Sequence, residues 1–188
     1  MISIRFLDRP LARSMAPLGF SPAMANGTAI ELPLMIGLAG IAVTVGGWLW
    51  WSRANLPKPA EAAMLAGVAL LASACLVEFL LKPAFGRAVP MEYLWDGIYR
   101  FRWLGWGDGS FPSGHADQAA AIVSVLWVYY PRHRVLYLSA MAVLAIVLMA
   151  GEWHFLSDVI AGAFLGALSG RLVMSVRGRA GGRRTPAF

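Results

Sequence analysis

From Leu32 to Trp51 the chain runs for twenty residues without a charge. At ~1.5 Å of helical rise per residue, such a run crosses a hydrocarbon core of about 30 Å. Comparable runs recur at Ala62 to Leu81, from the Phe111 motif to Tyr130, at Val135 to Gly151 and at Phe155 to Val176. Inside a bilayer each backbone polar group must find its partner within the segment, so these runs are predicted as helices. The expected fold is all-α, a polytopic membrane helical bundle of about five transmembrane helices. Residues 31–176 form the bundle, 1–30 an N-terminal tail or interfacial helix, and 177–188 a basic C-terminal tail. With 59% apolar and 14% charged residues, and a mean hydropathy of +0.62, the composition excludes a soluble domain.

The net charge of +6 raises the question of nucleic acid. The basic residues, however, stand at the ends of apolar runs and are not interleaved with aromatics on a polar surface. They read as topology signals and contacts to anionic lipid, so the bilayer is the expected partner and nucleic acid is not. With five crossings, the face carrying the C-terminus holds Arg53, Lys58, Arg132, Arg134, Arg171, Arg177, Arg179, Arg183 and Arg184 against Glu61 alone. By the positive-inside rule that face is cytoplasmic. The expected location is therefore a bacterial inner membrane, with the long loop Ala84 to Ser110 as a periplasmic subdomain. Met1 to Asn26 lacks an uninterrupted apolar core, so the first span is expected to target the chain. Arg5, Arg9 and Arg13 recur every four residues there among Ile4, Phe6, Leu7 and Leu11, which fits either a basic amphipathic helix on the membrane surface or a disordered tail. Cys75 is the single cysteine, so an intrachain disulfide is excluded. Gly162, Gly166 and Gly170 make a small-residue stripe for close helix packing, within the bundle or between copies; the oligomeric state stays open.

The same topology gathers Lys82, Arg87, His115, His154 and Asp158 at the outer face. His115 follows Phe111-Pro112-Ser113-Gly114, a helix opening whose serine can cap free N–H groups and whose glycine admits a ligand close to the main chain. His154 and Asp158 are four apart, so on one helical turn the carboxylate can reach a ring nitrogen and free the other as a nucleophile. Two histidines, a carboxylate, two cations and a helix N-terminus suit phosphoryl transfer, where positioning and charge stabilisation do most of the work. His115, His154 and Asp158 also carry the donors of a zinc or iron site. Lys82 and Arg87 beside them favour an anion, so neither metal nor cofactor is expected. Lys82 has a plainer reading, an ion pair with Glu78 four residues earlier. Glu152 is assigned no role. Tyr93, Trp95, Tyr99, Phe101, Trp103 and Trp106 read as an interfacial aromatic belt or the lip over which a lipid tail enters.

Taken together, Lys82 through Pro90, Pro112-Ser113-Gly114-His115 and His154-x-x-x-Asp158 resemble the three motifs of the type 2 phosphatidic acid phosphatase family, integral membrane lipid phosphatases related to vanadium haloperoxidases. The resemblance covers about Leu81 to Gly170. It implies a metal-independent lipid phosphatase acting on phosphatidate, phosphatidylglycerophosphate, a polyprenyl diphosphate or a lipid A type phosphate. His154 would be the nucleophile that takes the phosphoryl group, Asp158 its orienting partner and His115 the acid for the leaving oxygen. Lys82, Ser113 and Gly114 would bind phosphate. Two family arginines are missing, replaced by Val89 in the first motif and by Val147-Leu148 in the third. Arg87, Arg100 or Arg102 is expected to substitute, Arg87 first, and the chain is similar in this to divergent bacterial members with a Phe-Gly-Arg first motif. A lipid phosphotransferase with the same intermediate and an inactive lipid-phosphate binder are the alternatives.

Overall fold

The computed structural model describes residues 6–18, 40, 47, 56–104 and 109–180. The first expected span lies outside them apart from Gly40 and Gly47, as do Arg53, Trp106, Arg183 and Arg184.

Helix α1 is Asp8–Met15. Helix α2, Lys58–Cys75, opens with Pro59 in its first turn, where the missing N–H costs nothing. It continues through a π-helical turn, Leu76–Leu81, into a last turn Lys82–Ala84. In the π turn the Lys82 N–H bonds the carbonyl of Val77, five residues back. The long loop then contains β1 (Phe85–Arg87), α3 (Pro90–Trp95) and β2 (Phe101–Trp103). The two strands are antiparallel, with Phe85 opposite Trp103 and Arg87 opposite Phe101. This small sheet was not visible in the helix-only expectation. Helix α4 is Gly114–Tyr129, a turn Pro131–His133 follows, and α5 (Arg134–Ala150) and α6 (Leu156–Ala180) complete the bundle. Among the described residues, three helices are long and apolar enough to cross a membrane: Lys58–Ala84, Pro131–Ala150 and Leu156–Gly178.

Helix α4 sits between α2 and α6, and small residues let the backbones approach. Ala62, Ala66, Ala69 and Ala121 are buried with Leu65, Val125, Tyr129 and Met174 in one core. On α6, a Cβ at Gly166 would run into the Asp117 carbonyl, and one at Gly162 into the Ser113 carbonyl. The glycine stripe therefore packs inside the bundle, against α4. Helix α5 presents Val135, Leu136, Leu138, Val143 and Ile146 outward, an apolar face suited to lipid.

The end opposite the long loop is closed by charge. Arg177 Nε donates to Glu61 Oε1 at 2.7 Å, and the terminal nitrogen Nη2 donates to the same oxygen. The ammonium of Lys58 lies 5.1 Å from the centre of the Tyr130 ring. Helix α6 continues to Ala180, past the expected end near Val176.

Helix α1 also differs from expectation. Its buried face carries Asp8 and Ala12 and docks on α3, α5 and α6, while Phe6 and Leu7 are exposed. A basic helix floating on the surface would bury its apolar residues instead; here a carboxylate faces inward.

Candidate active site

Four pieces of chain meet beside the N-terminus of α4. Ser113 caps that helix, its side chain accepting from the Ala116 N–H, while its own N–H donates to the Asp158 carbonyl at 3.0 Å. The first turn of α4 is thereby tied to the first turn of α6, which brings His115 to His154. Their ring centroids stand 6.2 Å apart at an interplanar angle of 63°.

His154 is buried, and Nδ1 lies 2.9 Å from the Ser110 carbonyl oxygen. A carbonyl only accepts, so the proton sits on Nδ1 and the lone pair is left on Nε2. Burial strips hydration from the imidazolium, and His115 and Lys82 oppose it further, pushing its pKa down to about 3. Asp158 does not make the expected direct bond to the ring: Oδ2 stands 3.9 Å from Nδ1. That oxygen instead accepts from Ser110 Oγ at 2.5 Å and from the Phe155 N–H at 2.8 Å. Asp158 therefore fixes the residue that fixes the histidine.

Lys82 and Glu78 form an ion pair of 2.7 Å over Gly114. A Cβ on Gly114 would lie 2.5 Å from Glu78 Oε1 and 3.5 Å from Lys82 Nζ, so both side chains crowd the mouth of α4. Asp117, one turn into α4, is buried and accepts a 2.5 Å bond from Ser73 Oγ of α2.

Arg87 occupies a different place from the one expected of a phosphate ligand. It is 1% exposed, and its guanidinium lies 4.2 Å from the Phe155 ring centre. One terminal nitrogen donates to Ser157 Oγ at 2.6 Å and Asp158 Oδ1 at 2.5 Å. The other donates to Asp8 Oδ2 at 2.8 Å and the Tyr99 hydroxyl at 3.1 Å. All four terminal N–H groups are thus engaged by the protein. Burial works against its charge, but Asp158, Asp8 and Tyr99 outweigh that and raise its pKa. Arg102 is exposed on β2 and Arg100 is half-buried just before it. Leu148, at the position of the missing third-motif arginine, is buried with Ala116 and Val159, and its carbonyl accepts from the Trp153 and His154 N–H groups. Apolar packing fills the space that a cation would need.

Sequence reasoning assigned nothing to Asp8, Ser110 or Glu152. Asp8 was legible only as the lone acid in a segment of three arginines. Glu152 adopts the left-handed conformation at φ 58°, rare for a residue with a side chain. It is held by Trp95 Nε1, which donates to its carboxylate at 2.9 Å, and by the Met91 N–H, which donates to its carbonyl at 3.1 Å. Glu152 therefore straps α3 to the turn that carries His154. Tyr93 and Tyr99 pack edge-on at 5.6 Å and both contact Phe155, so part of the expected aromatic belt is interior support.

The chain is 33% identical over 108 residues to a lipid A 1-phosphatase of Rhizobium johnstonii, covering 56% of this chain and 44% of that protein. It is 32% identical over 108 residues to a lipid A 1-phosphatase of Rhizobium etli, covering 56% and 47%. The matches thus span less than half the length of these curated relatives. The crystal structure of a transmembrane PAP2 type phosphatidylglycerolphosphate phosphatase from Bacillus subtilis shares the fold, with a TM-score of 0.51 at 18% identity over 95% of this chain and 88% of that one. The PAP2 superfamily profile matches residues 62–181, a segment that contains His115, His154, the α4 cap and Asp158, and the chain belongs to that superfamily.

Proposed function

We propose that this chain is a membrane lipid phosphatase working through a phosphohistidine at His154. The observation that carries the reading is the approach of the His115 and His154 ring centroids to 6.2 Å, one from the first turn of α4 and the other from the turn between α5 and α6. His154 Nε2 attacks phosphorus, an N–P bond forms, and the ester P–O bond breaks. Protonated His115 gives its proton to the departing oxygen. Water then attacks phosphorus and loses a proton to His115, and the N–P bond breaks to release inorganic phosphate. Lys82, Ser113 and the Gly114 main chain hold the phosphate oxygens; Asp158 positions His154 through Ser110. The names of the Rhizobium relatives support a lipid A type 1-phosphate as the first substrate to try. The charge asymmetry of the helix ends supports an active site on the periplasmic side of a bacterial inner membrane.

The test is inorganic phosphate release from a panel of lipid phosphates in the presence of a chelator, comparing the parent with His154→Ala and His115→Ala. The expected result is turnover by the parent and loss of at least about a hundredfold in each variant. A second reading, an inactive lipid-phosphate binder, draws on Leu148, on the engaged Arg87 and on Glu78 against Lys82. Equal background release from all three proteins, with binding retained, would establish that reading instead.

A further inference from the structure

The carboxylate of Asp8 is buried and bonded to Arg87 and Ser157, 79 and 149 residues away in sequence. Oδ1 accepts from the Ser157 N–H at 3.1 Å, and Oδ2 accepts from Ser157 Oγ at 2.5 Å and from Arg87 at 2.8 Å. Ser157 lies in the first turn of α6, whose N–H groups have no helical acceptor. Asp8 supplies one from another helix, and so holds the turn that bears Asp158. Through Arg87 it also reaches Asp158 Oδ1, and Asp158 in turn holds Ser110, whose carbonyl holds His154.

Charge gives this chain of contacts a second effect. Arg87 paired with Asp158 alone would cancel the carboxylate that stands 3.9 Å from His154 Nδ1. With Asp8 on its other side, Arg87 is shared by two carboxylates, and the triad keeps one net negative charge beneath the ring. Arg87 by itself opposes positive charge on the His154 ring, and Asp8 offsets that opposition when a phosphoryl group on Nε2 makes the Nδ1-protonated ring cationic. Buried ions persist when paired and hydrogen-bonded, and each of these is.

We propose that Asp8 is a positioning residue for His154, contributed by a helix that lies outside the residues 62–181 matched by the family profile. The inference rests on the phosphohistidine reading. It makes α1 part of the catalytic apparatus without touching substrate.

The experiment uses the full chain in detergent micelles. Exchange of ¹⁸O between inorganic phosphate and water, which proceeds through reversible phosphorylation of His154, is measured for the parent, Asp8→Asn and Asp8→Glu. kcat and KM for a lipid phosphate and the thermal midpoint are measured alongside. Asp8→Asn is expected to lower exchange and kcat about 10- to 100-fold, the range seen when a supporting partner is removed, with KM within about twofold; Asp8→Glu recovers part of the loss. Exchange and kcat within about twofold of the parent in Asp8→Asn overturn the proposal. So does a loss expressed equally in kcat and 1/KM with no recovery in Asp8→Glu, the signature of a structural role. If Asp8→Asn does not fold, Asp8→Glu decides alone: a fall in kcat at constant KM supports the proposal and unchanged kcat overturns it. A parent that releases phosphate from lipid yet catalyses no exchange refutes the phosphohistidine itself, an outcome distinct from any difference among variants.

Discussion

Asp158 stops 3.9 Å short of His154 Nδ1, because that nitrogen is already bonded to the Ser110 carbonyl at 2.9 Å. The carboxylate acts on the histidine through Ser110, whose hydroxyl it holds at 2.5 Å. Asp158→Asn is expected to lower kcat by roughly 10- to 100-fold, the range for a supporting contact, and less than the roughly 10⁴-fold typical of a carboxylate bonded directly to a catalytic histidine. Ser110→Ala should fall in the same direction by about tenfold. Steady-state kinetics on one lipid phosphate checks both, and a Ser110→Ala variant as fast as the parent would remove the serine from the pathway.

The depressed pKa of His154 makes a prediction about stability. Its unfolded value is 6.5 and its folded value about 3, so the unfolded chain binds more protons between those limits. The contribution is fully present above pH 6.5 and is lost as pH falls toward 3, at up to about 1.4 kcal/mol per pH unit. The thermal midpoint of the parent should therefore drop more steeply than that of His154→Asn between pH 7 and pH 4.5. Parallel curves would show that the ring is not held neutral.

Glu78 and Lys82 stand 2.7 Å apart at about a fifth exposure, so under the proposed function Glu78 competes with an incoming phosphate for Lys82. Glu78→Gln keeps the shape and removes the competition. Since partly exposed pairs are worth about 0.5–1 kcal/mol, KM for lipid phosphate should fall about two- to fivefold with kcat little changed. A rise in KM would mean that Glu78 holds Lys82 in its working position.

Gly166 has the Asp117 carbonyl where a side chain would begin. Gly166→Ala forces α6 off α4 at an overpacking cost of about 1–3 kcal/mol. Because Asp117 is one turn from Ser113 and His115, activity should decline along with the thermal midpoint. An unchanged midpoint would contradict the packing described for these two helices.

Helices α2, α4, α5 and α6 and the approach of His115 to His154 were legible because apolar run length and crossing number are sufficient to place them, whereas α3 and the two strands lie within a stretch read as loop. The supporting contacts were not. His154 is held by a backbone oxygen, which any residue at position 110 would possess, so no side-chain pattern announces it. Arg87 looked like a spare cation because its two carboxylate partners come from Asp8 and Asp158, 79 and 71 residues away. The amphipathic spacing of Arg5, Arg9 and Arg13 pointed α1 toward lipid and drew attention from the acid between them. Leu148 read as a missing arginine, whereas in three dimensions it is a packing residue beneath the histidines.

The wide turn at Leu76–Leu81 sets the compass bearing of everything after it. Each residue of an ordinary helix turns by about 100° while the wide turn absorbs one extra residue locally, so adding or removing one position beside it without a compensating change in the turn would swing the Lys82 ammonium around the rod and away from Gly114 while leaving the hydrophobic length almost unaltered. Relatives that differ by a single uncompensated insertion or deletion beside this turn would thus display a different side chain to the proposed phosphate site, and a membrane span alike in every bulk property would conceal the change.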